Sequence, residues 1–446
     1  MDASALNWLS ASDAARALRD GAFSAEQLAQ ACLARIREAE GEVQAWAHLD
    51  EAHALSQARA RDLDRAEGRA IGPLHGLPVG VKDIIDTCDY PTEDGTVLHA
   101  GRTPAHDAKV VAMLRAAGAV IMGKTVTTEC AYFHPGKTRN PHNPGHTPGG
   151  SSSGSAAAVA AGMVPLALGS QTNGSVIRPA AFCGVYGFKP THGLFPRSGV
   201  LTLSRSLDHV GVFGRTLDDV ALVAESLVGW DAEDLDTRPR AAIPFREIAA
   251  QEPPLEPLLA LVRPPVWDRA EAETKEAFAE LAEELKDRIV EIELPPSTAE
   301  AFDWQRTIMQ AEMAANLDRE YEQGRDKLSA ALRKQLESGR AVSALDYQRA
   351  LARVPRLYAG FEEMFERCAA FITPSAAGTA PKGLASTGDP SFCTLWTLCG
   401  MPALNLPLMK GGNGLPLGLQ LVGARNADAQ LLRTANWLIR RLNRND

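Results

Sequence analysis

The chain reads as an α/β protein with a mixed central sheet covered by helices on both faces. Two observations predict this. Helical stretches alternate with short apolar runs of strand length through most of the sequence. Runs such as Ala119-Val120-Ile121-Met122-Gly123 carry no polar alternation, which marks strands buried on both faces. With 446 residues, 45% of them hydrophobic, the chain can bury a large core. We expect one domain, residues 1–446, with a core over about 70–228 and 370–446 and a variable helical insertion over about 263–369.

Residues 10–40 read as two helices split by Gly21, and Ser24-Ala25-Glu26-Gln27 is a capping box for the second. Residues 50–68 form a charged, Ala-rich helix ending near Gly68. After a turn at Gly72–Pro78, Val79-Gly80-Val81 and Ile84-Ile85 read as one buried strand interrupted by Lys82 and Asp83. Asp107–Ala117 is helical, Gly118 stops it, and a short strand follows at 119–123. Tyr132–Gly150 is a proline-rich loop. Ser155–Ala161 is a small-residue helix and Val164–Gly169 a strand. A further helix opens at the Gly174-Ser175 cluster, with Pro179 in its first turn. Thr216–Val228 is an amphipathic helix. Residues 230–262 are a connection with one short element, and 268–290 and 299–369 are mostly helical, covering one side of the active site. The chain returns to the core at 370–374, forms strands at 402–407 and 417–422, and ends in a helix over Asp428–Leu442.

Composition excludes several functions. A formal net charge of −9 with no long basic run argues against a nucleic-acid surface. The first ten residues lack the basic and apolar regions of a signal peptide, and the longest uncharged apolar stretch, Ala156–Gly169, is too short to span a bilayer. Seven cysteines without C-x-x-C spacing predict reduced thiols in a cytosolic protein and no zinc site.

The chemistry concentrates in Pro148–Thr191, where Gly/Ser clusters at 149–155 and 174–175 lie at loop–helix and strand–helix junctions. Tight turns and free backbone N–H groups occur there, and both suit a developing negative charge. Upstream, Lys82 sits in an apolar run, where an unpaired ammonium is costly. It either pairs, reaches solvent or works chemically. Gly150-Ser151-Ser152-Ser153-Gly154 matches the G-x-S-x-G elbow of another hydrolase class. That class needs a histidine late in the chain, and the 237 residues after His209 contain none. No phosphate-binding G-x-x-x-x-G-K-[ST] is present. Cys183 has no histidine placed to activate it and reads as packing. His134, His142 and His146 lie among prolines that forbid a regular element, so they read as loop residues and no metal site is expected.

These residues carry a resemblance. The chain is similar to the amidase signature family, whose pattern is GGSS-G-GS, a small-residue helix and a G-T-D-T-G-GS-like turn. The family's two serines are 24 positions apart, as are Ser151 and Ser175 (175 − 151), and its lysine stands in a G-V-K-D context, here Gly80-Val81-Lys82-Asp83. Similarity extends from the helical N-terminus to the run at 414–423.

The resemblance implies the amidase signature fold and hydrolysis of a C–N amide bond through an acyl-enzyme. It assigns Ser175 as nucleophile, Ser151 as proton relay after a cis peptide, and Lys82 as base. The N–H groups of Thr172, Asn173, Gly174 and Ser175 would form the oxyanion hole. No cofactor is implied. The expected partner is a small-molecule amide or carbamate, with neither nucleic acid nor membrane, and a homodimer is compatible. Tyr132, Phe133, Phe392 and Trp396 either line an acyl or aryl pocket or belong to the core.

Four positions depart from the family pattern. Gln171 stands for the usual Asp, Asn173 and Ser153 for glycines, and Arg178 comes one position late. The alternative is the amidase-like subunit of a transfer-RNA amidotransferase, which hydrolyses glutamine and passes ammonia on. The run Lys189–Gly199 fits that subgroup poorly.

Overall fold

The computed structural model describes residues 3–443. Helices α1 (Ala11–Asp20) and α2 (Ala25–Val43) form as the sequence predicts. Ser24 accepts from the Gln27 amide while the Gln27 side chain accepts from the Ser24 amide, closing the capping box. A four-residue strand, β1 (Trp46–Leu49), precedes α3 (Glu51–Ala66) and was not anticipated. Strand β2 (Pro78–Lys82) ends at Lys82, so the lysine terminates the strand instead of interrupting it. Ile85 makes only an isolated bridge to Val200.

Next come α4 (Lys109–Ala116), β3 (Val120–Thr125), α5 (Ser153–Ala160), β4 (Leu166–Gln171) and α6 (Ile177–Cys183). Strands β5 (Tyr186–Lys189) and β6 (His209–Gly214) were also not anticipated. Then follow α7 (Leu217–Leu227), α8 (Phe245–Ala250) and β7 (Leu259–Arg263). The stretch expected to be helical holds α9 (Ala272–Leu285), but it also places β8 (Ile289–Glu293) on the sheet. Helices α10 (Glu300–Asn316), α11 (Asp318–Gly324), α12 (Ala330–Arg340) and α13 (Ala344–Met364) lead to β9 (Ala370–Pro374). After α14 (Ser391–Leu398), β10 (Ala403–Lys410) and β11 (Pro416–Val422), the chain ends in α15 (Asp428–Leu442), at the expected bounds.

The eleven strands form one mixed sheet in the order β1-β3-β2-β4-β6-β5-β10-β11-β9-β7-β8. Every residue of β2, β3, β4, β6, β9 and β11 is buried. Because successive side chains point to opposite faces, both faces of these strands are covered. Strands β3, β2 and β4 run parallel, which brings their C-terminal ends to one edge. Clefts outside such ends are where open α/β sheets bind ligands. Lys82 ends β2, Gln171 ends β4, and α5 rises from the turn holding Ser151–Ser152. No helix among the described residues is long and apolar enough to cross a membrane. All seven cysteines are free.

Candidate active site

Lys82 is fully buried, and its Nζ lies 2.7 Å from Ser151 Oγ and 2.8 Å from Ser170 Oγ. It forms no ion pair among the described residues. Asp83, its sequence neighbour, points to the other side of the strand and pairs with Lys124 at 3.4 Å. Burial drives the Lys82 pKa well below the ordinary ammonium range, and the Asp208 carboxylate works in the opposite direction. The two serines are the natural partners of a neutral amine, which both accepts and donates hydrogen bonds.

The turn that carries Ser151 needs its glycines. Gly149 has φ of 83°, and a Cβ there would lie 2.8 Å from Pro179 Cα. The Gly150–Ser151 peptide is cis, as the resemblance implied. Ser152 exchanges hydrogen bonds with the backbone of Ser170, its Oγ donating to the carbonyl at 3.1 Å and accepting from the amide at 3.2 Å. This fastens the turn to β4, and a Cβ on Gly169 would meet Ser152 Oγ at 2.7 Å.

The second turn, 172–176, is braced from two sides. Gln171 Oε1 accepts from the amides of Val176 (2.8 Å) and Ile177 (3.0 Å), and its Nε2 donates to Thr397 Oγ1. An amide thus does the work of the family's usual carboxylate. Thr397 Oγ1 donates to the Asn173 carbonyl, while Thr394 Oγ1 donates to Asn173 Oδ1, so the Asn173 side chain is turned toward α14. The amides of Asn173, Gly174 and Ser175 have no hydrogen-bond partner among the described residues. Ser175 shares a pocket with Ser151 but makes no hydrogen bond within the described residues.

Asp208, whose role the sequence does not reveal, supports the same turn. Its Oδ1 accepts from Thr172 Oγ1 at 2.6 Å, and its Oδ2 from the amides of Leu203 and Ser204. Burial pushes its carboxyl up to about 6, against the pull of those hydrogen bonds. Glu312 on α10 accepts from the hydroxyls of Ser204, Ser206 and Tyr347, tying the expected insertion to this loop.

The pocket around Ser175 is narrow, with a cavity volume of about 20 Å³, and Tyr132, Phe133, Leu203, Met309 and Met313 supply its apolar wall. Ala131 and the adjacent Cys130 are held left-handed, with φ of 54° and 44°, an arrangement that costs roughly 1–3 kcal/mol per residue and concentrates at functional sites. A larger cavity of about 320 Å³ adjoins it, shares Thr172 and Leu203, and reaches Ser170 and Asp208. The expected pocket residues divide. Tyr132 and Phe133 line the pocket, whereas Phe392 packs with Val266 and Ala270, and Trp396 stands against Phe361 and Phe371 in the core. Met309 and Met313 lie on α10 and were not foreseen, because spacing shows only that they are apolar.

The loop histidines gather no metal-binding set among the described residues. His142 Nε2 bonds the Cys183 carbonyl. Cys88, Asp89 and Asp107 form a group of suitable spacing, but Arg115 already pairs with both carboxylates.

The model of the amidase family matches residues 27–432. The chain belongs to the amidase signature family. It is 35% identical to a glutamyl-tRNA(Gln) amidotransferase subunit of Chloroflexus aggregans, across 97% of this chain and 96% of that one. It is 33% identical to a putative amidase, AmiD, of Mycobacterium tuberculosis, over 97% and 94%. Among solved structures, the peptide amidase of Stenotrophomonas maltophilia superposes with a TM-score of 0.85 at 29% identity, over 97% and 96% of the two chains. A chain from a vestigial complex bearing on the origins of an s-triazine catabolic enzyme superposes at 0.90, with 26% identity over 97% and 98%. Membership makes this amidase a C–N hydrolase.

Proposed function

We propose that this amidase cleaves its substrate through an acyl-enzyme on Ser175. Neutral Lys82 takes the proton of Ser151, and Ser151 takes that of Ser175 as its oxygen attacks the carbonyl carbon. The resulting oxyanion is met by the N–H groups of Thr172, Asn173, Gly174 and Ser175. Collapse breaks the C–N bond, and the leaving nitrogen receives the relayed proton. Water then repeats the attack on the ester with the same relay. The observation that carries this reading is the buried Lys82 amine, 2.7 Å from Ser151 Oγ and without an ion pair among the described residues. Alkyl or aryl amides and carbamates all present such a carbonyl. A serine-reactive fluorophosphonate should label Ser175; an adduct mapped to Ser151 or Ser152 would refute the assignment.

A second reading, the glutaminase subunit of a transfer-RNA amidotransferase, is favoured by the 35% identity to a protein of such a complex. Turnover of a simple amide by the purified chain alone supports the first reading. Glutamine hydrolysis that appears only with partner subunits supports the second. The free thiols and formal charge of −9 fit a cytosolic enzyme that binds no nucleic acid.

A further inference from the structure

A further cavity collects arginines that have no acid. Its volume is about 330 Å³, and it shares no lining residue with either cavity at the catalytic site. Arg238 and Arg240 reach it from the run Thr237-Arg238-Pro239-Arg240, and Arg425 from the turn before α15. Val354 of α13 and Leu398 of α14 supply an apolar wall. None of the three arginines pairs with a carboxylate among the described residues. Other arginines of the surface do: Arg205 holds Asp236 at 3.0 Å, Arg353 holds Glu300 at 3.4 Å, and Arg440 holds Glu252. Acids are plentiful in a chain of formal charge −9, so three unmatched guanidinium groups around one hollow are a local reversal of sign.

Their hydrogen bonds leave the charge in place. Arg238 Nη1 donates to the carbonyls of Leu235 (2.8 Å) and Thr237 (3.0 Å), and Arg240 Nη1 donates to Asn426 Oδ1 at 3.5 Å. Arg425 is half-buried and held in one orientation. Its guanidinium carbon lies 3.9 Å from the centroid of the Tyr358 ring, its amide donates to the Tyr358 hydroxyl at 3.1 Å, and its Nε donates to the Cys399 carbonyl. Both Nη groups of Arg425 have no hydrogen-bond partner among the described residues. A stacked guanidinium with two free N–H edges is a fork already set for an oxyanion. Asp236 also lines the cavity, but Arg197 and Arg205 already hold it. His192 on the same wall accepts from Arg197 Nη1 at 2.9 Å, so it is neutral there.

We propose that this cavity is a binding site for a small organic phosphate monoester, held by Arg238, Arg240 and Arg425. A phosphate monoester carries about two negative charges and three terminal oxygens on one atom, which suits three guanidinium groups better than the single charge of a carboxylate. The cavity is large enough for roughly ten waters at ~30 Å³ each. A phosphate group alone underfills it, and the organic part of the ligand lies against Val354 and Leu398. The site stands apart from the amide-hydrolase reading and does not depend on it.

The test is calorimetry on the full chain at neutral pH and low salt, with phenyl phosphate, inorganic phosphate and benzoate as probes. Phenyl phosphate should bind about tenfold or more tightly than either of the others, since benzoate has the ring without the second charge and inorganic phosphate the charge without the ring. Arg425→Gln should weaken phenyl phosphate about tenfold or more, the usual effect of losing a hydrogen bond to a charged group. The double variant Arg238→Gln/Arg240→Gln alters two exposed loop residues and should weaken it to a similar extent. Raising the salt to about 0.5 M should weaken binding further by screening. Failure of phenyl phosphate to bind, an equal affinity for benzoate, or an affinity unchanged in the double variant would overturn the proposal, the last because the anion would then sit elsewhere on the protein. Should Arg425→Gln fail to fold for want of its contact with Tyr358, the double variant decides alone: weakened binding sustains the site and unchanged binding overturns it.

Discussion

Replacing Lys82 tests whether the site needs a base or merely a positive charge. An unperturbed lysine with a pKa of ~10.4 is neutral in roughly one molecule in 2,500 at pH 7. Burial of Lys82 lowers its pKa and enlarges that fraction. Wild-type activity should therefore rise with pH through the depressed pKa and level off above it. Lys82→Met keeps an apolar stem and removes the amine. The acylation rate should fall by about 10²–10⁴, the usual contribution of a positioned base. Ser151 would then have no proton acceptor, so adding Ser151→Ala should cost little more. Lys82→Arg should fail almost as badly, because a guanidinium stays protonated.

Stability should move the other way. Between the depressed folded pKa and the unfolded value of ~10.4, the unfolded chain binds a proton that the folded chain has released, so this group makes stability increase with pH across that window. Lys82→Met should remove that slope and raise the melting temperature at neutral pH. The assay is single-turnover acylation between about pH 5 and 10, with thermal melts in the same buffers. Near-normal turnover of Lys82→Arg at neutral pH would refute the argument, because charge alone would then suffice.

Three further outcomes are expected. Asp208→Asn removes the carboxylate that raises the Lys82 pKa, so the rising limb of kcat/KM should shift to lower pH while kcat falls; an unmoved limb counts against the coupling. Gln171→Leu strips the acceptor from the Val176 and Ile177 amides and should cost about 1–3 kcal/mol, with Gln171→Glu recovering most of it in denaturant melts. Dialysis against EDTA should leave activity unchanged, and loss restored by zinc would disprove a metal-free mechanism.

The core of the site was legible because its residues break ordinary patterns. A lysine inside an apolar run and two Gly/Ser clusters whose Ser151 and Ser175 stand 24 residues apart are hard to explain as packing. The long helix α15 was legible for the opposite reason, since its apolar periodicity runs uninterrupted. Strands β1, β5 and β6 were not. Trp46–Leu49 and Tyr186–Lys189 span four residues each, and β6 begins with a histidine and contains two glycines. Such segments become strands through long-range pairing, which propensity does not register. Burial pattern likewise could not separate Tyr132 and Phe133, at the pocket, from Phe392 and Trp396, which pack away from it, because all four are aromatic residues in apolar surroundings.

The supporting polar residues were hidden by register. Asp208 lies in Ser-Leu-Asp-His, which locally reads as a turn. Its meaning depends on the antiparallel pairing of β4 with β6, where Gln171 stands opposite His209. Thr172 follows β4 as Asp208 precedes β6, so the same register continued by one residue sets them across from each other, and the 2.6 Å hydrogen bond results. A one-residue slip would turn Asp208 to the opposite face of the sheet and leave Thr172 unheld. The glycines of β6 help maintain this register, since a Cβ on Gly211 would meet the Phe188 carbonyl of β5 at 2.7 Å. The turn that presents Ser175 is therefore positioned by a strand that the sequence conceals, and the site depends on the sheet as much as on its own Gly/Ser motif.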